Sequence, residues 1–147
     1  MGYNIGIGEA TISTDYKHRY IALEVERVVV DEAPVWETEG DSVDLVGKAN
    51  YACPSYQQMD YFCSVTGLKE FFFNTLIDKK NIPGQVPITQ DDLITIKLAK
   101  ERWIEGHPGS VPGWREGEDS TLARLIWYEF WFDWALENCR NPIIHFD

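Results

Sequence analysis

Residues 119–139 read DSTLARLIWYEFWFDWALENC and have the pattern of a long helix. Asp119 or Ser120 can cap the start of a helix, and Asn141-Pro142 stops that helix at its other end. At about 100° per residue, the charged and the large apolar side chains separate onto opposite faces. The charged stripe holds Glu129, Asp133, Glu137 and Arg140, and the apolar face holds Trp127, Tyr128, Trp131, Trp134 and Ala135. A helix so rich in aromatic residues is expected to lie centrally against a sheet or other helices.

Arg124 points into the middle of this aromatic face, and two interpretations follow. In the structural interpretation, its aliphatic stem packs on Trp131 or Tyr128 and its guanidinium reaches solvent or a carboxylate. In the functional interpretation, the guanidinium lies over an aromatic floor and binds a carboxylate or a phosphate. Arg124 and Trp131 are therefore the candidate binding residues of the helix.

A glycine- and proline-rich loop precedes the helix and contains a second pair of candidates, Trp114 and Arg115. A loop of residues 106–117 with a central tryptophan and arginine has the composition of an interaction hot spot. The structural alternative is that Trp114 folds back and caps the core. Trp114 and Arg115 complete the set of candidate binding residues.

The N-terminal part of the chain alternates apolar and polar residues, which predicts two strands: Tyr3 to Ile7 and Ile21 to Val25. A polar turn over Ser13–Lys17 joins them into an antiparallel hairpin. The alternation slips at Arg27, which indicates a bulge or a strand that leaves the sheet edge. Residues 31–54 show no clear period, so they contain either a short strand near Val43–Val46 or a functional loop.

Helical patterns dominate after Pro54. Ser55 and Gln58 form a capping box for a helix that ends at Gly67, and Thr89 caps another helix that runs to about Glu105. Between them we expect a short helix over Lys69–Ile77, followed by a turn-rich connection over Asp78–Pro87. The residues that this short helix is expected to bury are Phe72, Phe73, Leu76 and Ile77.

Ile143–Phe146 is a short apolar segment that can return to the sheet as an extra strand. Strand patterns therefore come first and helical patterns follow, which predicts an α+β fold. We expect one globular domain over residues 1–147, with a small antiparallel sheet packed against about four helices.

The charge balance restricts the partners. The chain has 13 basic and 24 acidic residues, a formal net charge of −11, so its average surface repels phosphate and direct nucleic-acid binding is not expected. Acidic clusters at Glu24–Glu32, Glu37–Asp44 and Glu116–Asp119 form either a solvated surface or an imitation of nucleic-acid phosphates. No apolar run approaches the ~20 residues of a membrane span, and the first residues lack a secretory signal. We expect a cytoplasmic protein without membrane contact.

No catalytic residue, metal site or cofactor is predicted. The three histidines never occur at metal-binding spacings, and the three cysteines include no CxxC motif. Cys63 lies on an inward helix face, and Cys53 is the one cysteine with the features of a reactive thiol. The stretch from Gly6 to Thr11 begins a dinucleotide fingerprint, but it has no third glycine and no following helix.

Four segments together resemble small proteins encoded by bacteriophages and prophages for which no activity is known. They are MGYNIGIG at residues 1–8, Pro54-Ser55-Tyr56 through Gly67-Leu68, His107 through Gly113, and Leu122 through Cys139. The resemblance implies a viral accessory protein that works in the cytoplasm of a bacterial host. It transfers no functional residue to this chain.

The function expected first is protein–protein interaction: the chain binds a host or phage protein and inhibits or redirects it, an anti-phage defence factor being one such target. One alternative is a small-molecule binder that sequesters a nucleotide signal, with Arg124 or Arg115 on its phosphate. A further alternative is an enzyme whose site is assembled from distant residues, and a minor virion component is another. The sequence leaves open whether the chain forms a homo-oligomer.

Overall fold

The fold is α+β, as the order of strand and helix patterns predicts. The computed structural model describes residues 2–15, 20–37, 47–76 and 84–146. Within these ranges, a five-stranded antiparallel sheet packs with four helical segments. The strands are β1 (Ile5–Asp15), β2 (Tyr20–Val25), β3 (Tyr51–Ala52), β4 (Gly84–Pro87) and β5 (Pro142–Phe146). The helices are α1 (Tyr56–Thr66), a π-helical segment (Phe71–Leu76), α2 (Gln90–Gly106) and α3 (Ser120–Asn138).

The long strand β1 organises the sheet, whose order is β2-β1-β5-β4, with β3 also paired to β1. Its second half, from Ala10 to Asp15, pairs with β2, which confirms an antiparallel hairpin. The predicted bounds of its first strand, Tyr3 to Ile7, were wrong, because Ile5–Ile7 pair with β3 and β5 instead of β2. The turn prediction was wrong for Ser13–Asp15, because these polar residues continue the ladder opposite Tyr20–Ala22. Cross-strand pairing here overrides the turn preference of the side chains. Residues 16–19, which include the basic residues Lys17 and Arg19, lie outside the described part of the chain.

The C-terminal strand β5 lies inside the sheet, between β1 and β4, and confirms the predicted return of Ile143–Phe146. The expectation of an irregular connection up to Pro87 was wrong, because Gly84–Pro87 forms an edge strand. An edge position tolerates Pro87 at the end of this strand, where a missing N–H costs little.

Residues 31–54, which have no clear period, contain the two-residue strand β3. The predicted strand near Val43–Val46 lies outside the described residues. Strand β2 ends at Val25. The slip in the alternation at Arg27 therefore corresponds to a strand that leaves the sheet edge, and not to a bulge. Asn50 holds this departing segment, since its side chain accepts a hydrogen bond from the Val28 N–H at 2.8 Å.

The helix termini agree with the capping predictions. Ser55 and Gln58 exchange capping-box hydrogen bonds at the start of α1, and Gly67 ends it in the left-handed conformation, with φ of 74°. Thr89 and Asp92 form a second capping box at the start of α2.

The predicted short helix is π-helical over Phe71–Leu76. Phe71 and Phe72 are buried there, and Phe73 is only half-buried. The α-helical pattern instead predicts that Phe72 and Phe73 are both buried. The wider π turn changes which neighbouring side chains face inward. The side chains of Leu76 and Ile77 lie outside the described set.

The aromatic face of α3 forms the centre of the core, as predicted. Trp127, Tyr128, Trp131 and Phe132 are completely buried and belong to one cluster with the inward side chains of β1 and β5. On the opposite face Glu137 is exposed, while Glu129 is half-buried beside Lys100 of α2. Within the described residues, no helix is both long and apolar enough to cross a membrane.

Candidate functional site

The first turn of α3 positions Arg124. Asp119 caps the helix by accepting a hydrogen bond from the Leu122 N–H at 2.9 Å, and its other carboxylate oxygen accepts one from Trp103 Nε1 at 2.7 Å. This second bond fastens the start of α3 to the last turns of α2. Arg124 follows one turn later and is 7% exposed.

The Arg124 guanidinium lies beside two tryptophans that contact each other, with ring centres 5.1 Å apart. Its Cζ is 5.2 Å from the ring centre of Trp114 and 5.8 Å from that of Trp36, within the range of cation–π attraction. Nη1 donates a hydrogen bond to Ser120 Oγ at 3.3 Å, while the buried Nε has no partner among the described residues. Burial lowers the pKa of Arg124, and the negative charge of Glu37 opposes this effect. Both rings that face the guanidinium, Trp114 and Trp36, thus come from outside α3.

The loop before α3 places Trp114. Its Nε1 donates to the Val35 carbonyl at 2.8 Å, and its ring lies 5.1 Å from Trp36. Glu118 fixes the loop by accepting a hydrogen bond from the Arg115 N–H at 3.0 Å, and its carboxylate occupies the space that a side chain on Gly113 would need. Trp114 thus caps part of the core and also forms a wall of a pocket.

That pocket, which we call the Arg124 pocket, has a volume of about 460 Å³. A neighbouring pocket of about 490 Å³, the Trp103 pocket, shares Tyr61, Glu118 and Ser120 with it. The two pockets are therefore adjacent, between α1, the loop and the start of α3, and we call them together the groove. The principal lining residues of the Arg124 pocket are Glu37, Tyr61, Trp114, Arg115, Glu118 and Arg124.

The structure brings together three of the four predicted site residues. Arg124, Trp114 and Arg115 all line the Arg124 pocket. Trp131 lines neither pocket of the groove, because its side chain is completely buried between Phe130 and Trp134. We therefore assign Trp131 to the core and not to the site.

Sequence reasoning missed Trp36, Glu37 and Tyr61. Trp36 and Glu37 belong to the aperiodic segment, where no pattern indicates which side chains meet the helix. The sequence could have indicated Tyr61. It falls outside the inward face of α1, where a large aromatic residue is expected to be exposed and available for binding. The structure leaves it 60% exposed.

Two of the three thiols lie in surroundings unsuited to nucleophilic chemistry. Burial raises the pKa of Cys63 to about 12 and that of Cys139 to about 11, so both stay protonated at neutral pH. Cys53 is exposed and donates to Asn4 Oδ1 at 3.3 Å. Across the described ranges, no three His, Cys, Asp or Glu side chains are grouped as metal ligands.

Replacing Arg124 by methionine is expected to change the free energy of unfolding by less than about 1 kcal/mol. Methionine keeps an apolar stem beside the two tryptophans, and it removes a buried charge whose solvation is incomplete. Urea denaturation of the wild type and the variant measures the difference. A loss above about 3 kcal/mol would show that the guanidinium itself holds this part of the core together.

Comparison with known proteins adds no assignment to this site. No family model, curated protein or solved structure matches the chain.

Proposed function

We propose that this chain is an acidic accessory protein that binds a partner protein in the bacterial cytoplasm and inhibits or redirects it. The resemblance to bacteriophage and prophage proteins suggests a host factor as the partner, such as a component of an anti-phage defence. The observation that carries the proposal is the groove, in which the Arg124 and Trp103 pockets lie next to each other.

The groove has the composition of a protein-binding surface. Interaction hot spots are enriched in tryptophan, tyrosine and arginine, and Trp114, Tyr61 and Arg115 all line it. Tyr61 and Val111 each keep 60% of their surface exposed although both are largely apolar. A partner that covers these two side chains would bury apolar surface that stays exposed in the folded chain, and this burial would contribute to the free energy of binding.

The net charge of −11 supports a partner with a basic surface. Long-range attraction between opposite charges accelerates encounter and selects against acidic partners. The groove contributes to this field, because Glu37, Glu116 and Glu118 line it.

Capture experiments with matched variants test the proposal. The tagged full chain is used to capture partners from infected-cell lysate, alongside a groove variant that combines Tyr61→Ala and Arg115→Ala. Leu98→Ala is the control, since Leu98 is exposed on α2 and lines neither pocket. The groove variant is expected to lose a captured protein that the control retains. A partner captured equally by all three would contradict a role of the groove.

A second candidate function is the binding of a small anionic ligand, such as a nucleotide signal. It is favoured by the volume of the Arg124 pocket, which lies in the range of small-molecule sites, and by the buried Arg124 beside an aromatic ring. A ligand that binds only the native state raises the melting temperature. A nucleotide that stabilises the wild type, and not Arg124→Met, would support this candidate.

Binding to duplex DNA is expected to be negligible at physiological salt. The surface is net negative, and phosphate contacts supply most of the affinity of ordinary DNA-binding proteins. If the acidic surface imitates DNA, the protein instead competes with DNA for a basic partner, and the competition weakens as salt rises. Mobility-shift measurements with micromolar protein check the first expectation, and a salt-dependent shift of free DNA would contradict it.

A further inference from the structure

Arg124 has hydrogen-bonding capacity that the described residues leave unused. A guanidinium has five N–H donors, and here Nη1 reaches Ser120 while Nε is buried without a partner among those residues. The side chain is more than nine-tenths buried, yet it lines the Arg124 pocket. A buried charge with few partners is costly, and an oxoanion placed in the pocket would offer acceptors to the part of the guanidinium that lines it.

The two tryptophans hold the guanidinium in place without consuming its donors. Cation–π contact with Trp114 and Trp36 engages the positive charge and leaves the N–H groups free for an acceptor. A charge-assisted hydrogen bond formed in such a desolvated place is stronger than one formed in water. The arrangement therefore favours an anionic group that enters the pocket.

The charge of the Arg124 pocket discriminates between anions. The lining contains two guanidiniums, those of Arg115 and Arg124. It also contains three carboxylates, those of Glu37, Glu116 and Glu118, so its net charge is −1. A phosphate dianion would meet more repulsion from these carboxylates than a carboxylate monoanion would. The same glutamates can pair with basic groups on either side of the anion.

We propose that the Arg124 pocket binds a single carboxylate of the partner protein, within a segment whose flanking residues are basic. Arg124 donates to the carboxylate, and Glu37, Glu116 and Glu118 receive the flanking cations. This inference rests on the proposed function, since it names the chemistry of the segment that the groove receives. The proposal also explains why an acidic protein has a buried arginine in the lining of a pocket.

Titration with simple anions tests the site without knowledge of the partner. Sodium acetate and inorganic phosphate are added to the intact protein at constant ionic strength, and NMR follows the Arg124 Nε–H and the indole N–H of Trp114. Acetate is expected to cause a saturable shift, and Arg124→Met to abolish the shift of Trp114. The absence of a saturable shift in the wild type would overturn the proposal, and so would tighter binding of phosphate. The wild-type measurement holds even if the variant fails to fold.

Capped tripeptides test the flanking charges and the source of the carboxylate. An amidated lysine–glutamate–lysine peptide is expected to bind at least about tenfold more tightly than the matched lysine–glutamine–lysine peptide, the usual effect of one charge-assisted bond. The glutamine peptide with a free C-terminus is the second arm. If it binds more tightly than the amidated glutamate peptide, the site takes a chain-terminal carboxylate, and if it binds more weakly, the site takes a side-chain carboxylate. Equal affinities of all three peptides would overturn the proposal.

The two proposals fail in different ways. If a partner depends on Tyr61 and Arg115 but acetate does not bind, the carboxylate site is wrong and the protein-binding function stands. If acetate and the glutamate peptide bind through Arg124 but no partner depends on the groove, the function is wrong and the site stands.

Discussion

Trp131→Ala is expected to lower the free energy of unfolding by about 3–5 kcal/mol, the usual cost of truncating a large buried aromatic residue. The indole of Trp131 is completely buried and packs against Phe130, Trp134 and Trp127, with ring centres 5.0, 5.4 and 6.5 Å away. Its removal leaves a cavity in the centre of α3's inward face, which the surrounding rings fill only in part. Urea denaturation monitored by circular dichroism measures the change.

Trp131→Phe is the matched control for this truncation. The Trp131 Nε1–H is buried without an acceptor among the described residues, and phenylalanine removes this unsatisfied donor while it keeps an aromatic ring. We therefore expect a cost well below that of alanine. Should alanine leave the stability unchanged while Arg124→Met unfolds the protein, the orientation of α3 described above would be wrong.

Local patterns in the sequence predicted most of the helices and the central strands, because their causes are local. A capping box or a terminal glycine acts within a few residues, so Ser55, Gly67 and Thr89 mark helix ends without tertiary information. The apolar face of α3 follows from the helical period alone. Thus the fold class and the central position of α3 could be predicted from the sequence.

The misassigned elements depend on pairing between distant segments. Gly84–Pro87 has no strand pattern of its own and becomes a strand because β5 presents an unpaired edge beside it. Likewise, Ser13–Asp15 continue β1 because β2 lies opposite them. Gly84–Pro87 and β5 are separated by more than fifty residues, whereas β2 is a near neighbour of Ser13–Asp15, but in both cases single-sequence periodicity contains no information about the pairing.

The candidate site shows the same contrast between features with a local cause and features that depend on the folded arrangement. Arg124 could be identified because a charged residue interrupts an apolar helical face, and Trp114 and Arg115 because a loop contains them. Their neighbour Trp36 comes from a segment without a period, and its position depends on the folded arrangement of that segment against α3. The sequence therefore indicated Arg124 and Trp114 separately, but not the contact between them or the contact of both with Trp36.

Asn50→Leu is expected to lower the free energy of unfolding by about 2–4 kcal/mol, because three backbone groups lose their side-chain partner. The buried Asn50 amide donates to the carbonyls of Ile7 at 2.9 Å and Glu26 at 2.8 Å, and it accepts from the Val28 N–H at 2.8 Å. It joins β1 to the segment that leaves β2. A Cβ at position 8 would lie 2.9 Å from this amide nitrogen, so a glycine at this position allows the close packing of β1 against Asn50.

Two further variants make the Asn50 prediction specific. Asn50→Asp keeps the shape and one acceptor but directs a carboxylate at two carbonyl oxygens, so at neutral pH it is expected to cost at least as much as leucine. Asn138→Leu removes a hydrogen bond to the Trp134 carbonyl at the exposed end of α3, where water replaces it, and is expected to cost less than about 1 kcal/mol. Chemical denaturation of all three compares them directly. If Asn50→Leu were as mild as Asn138→Leu, the link between β1 and residues 26–28 would not depend on this side chain.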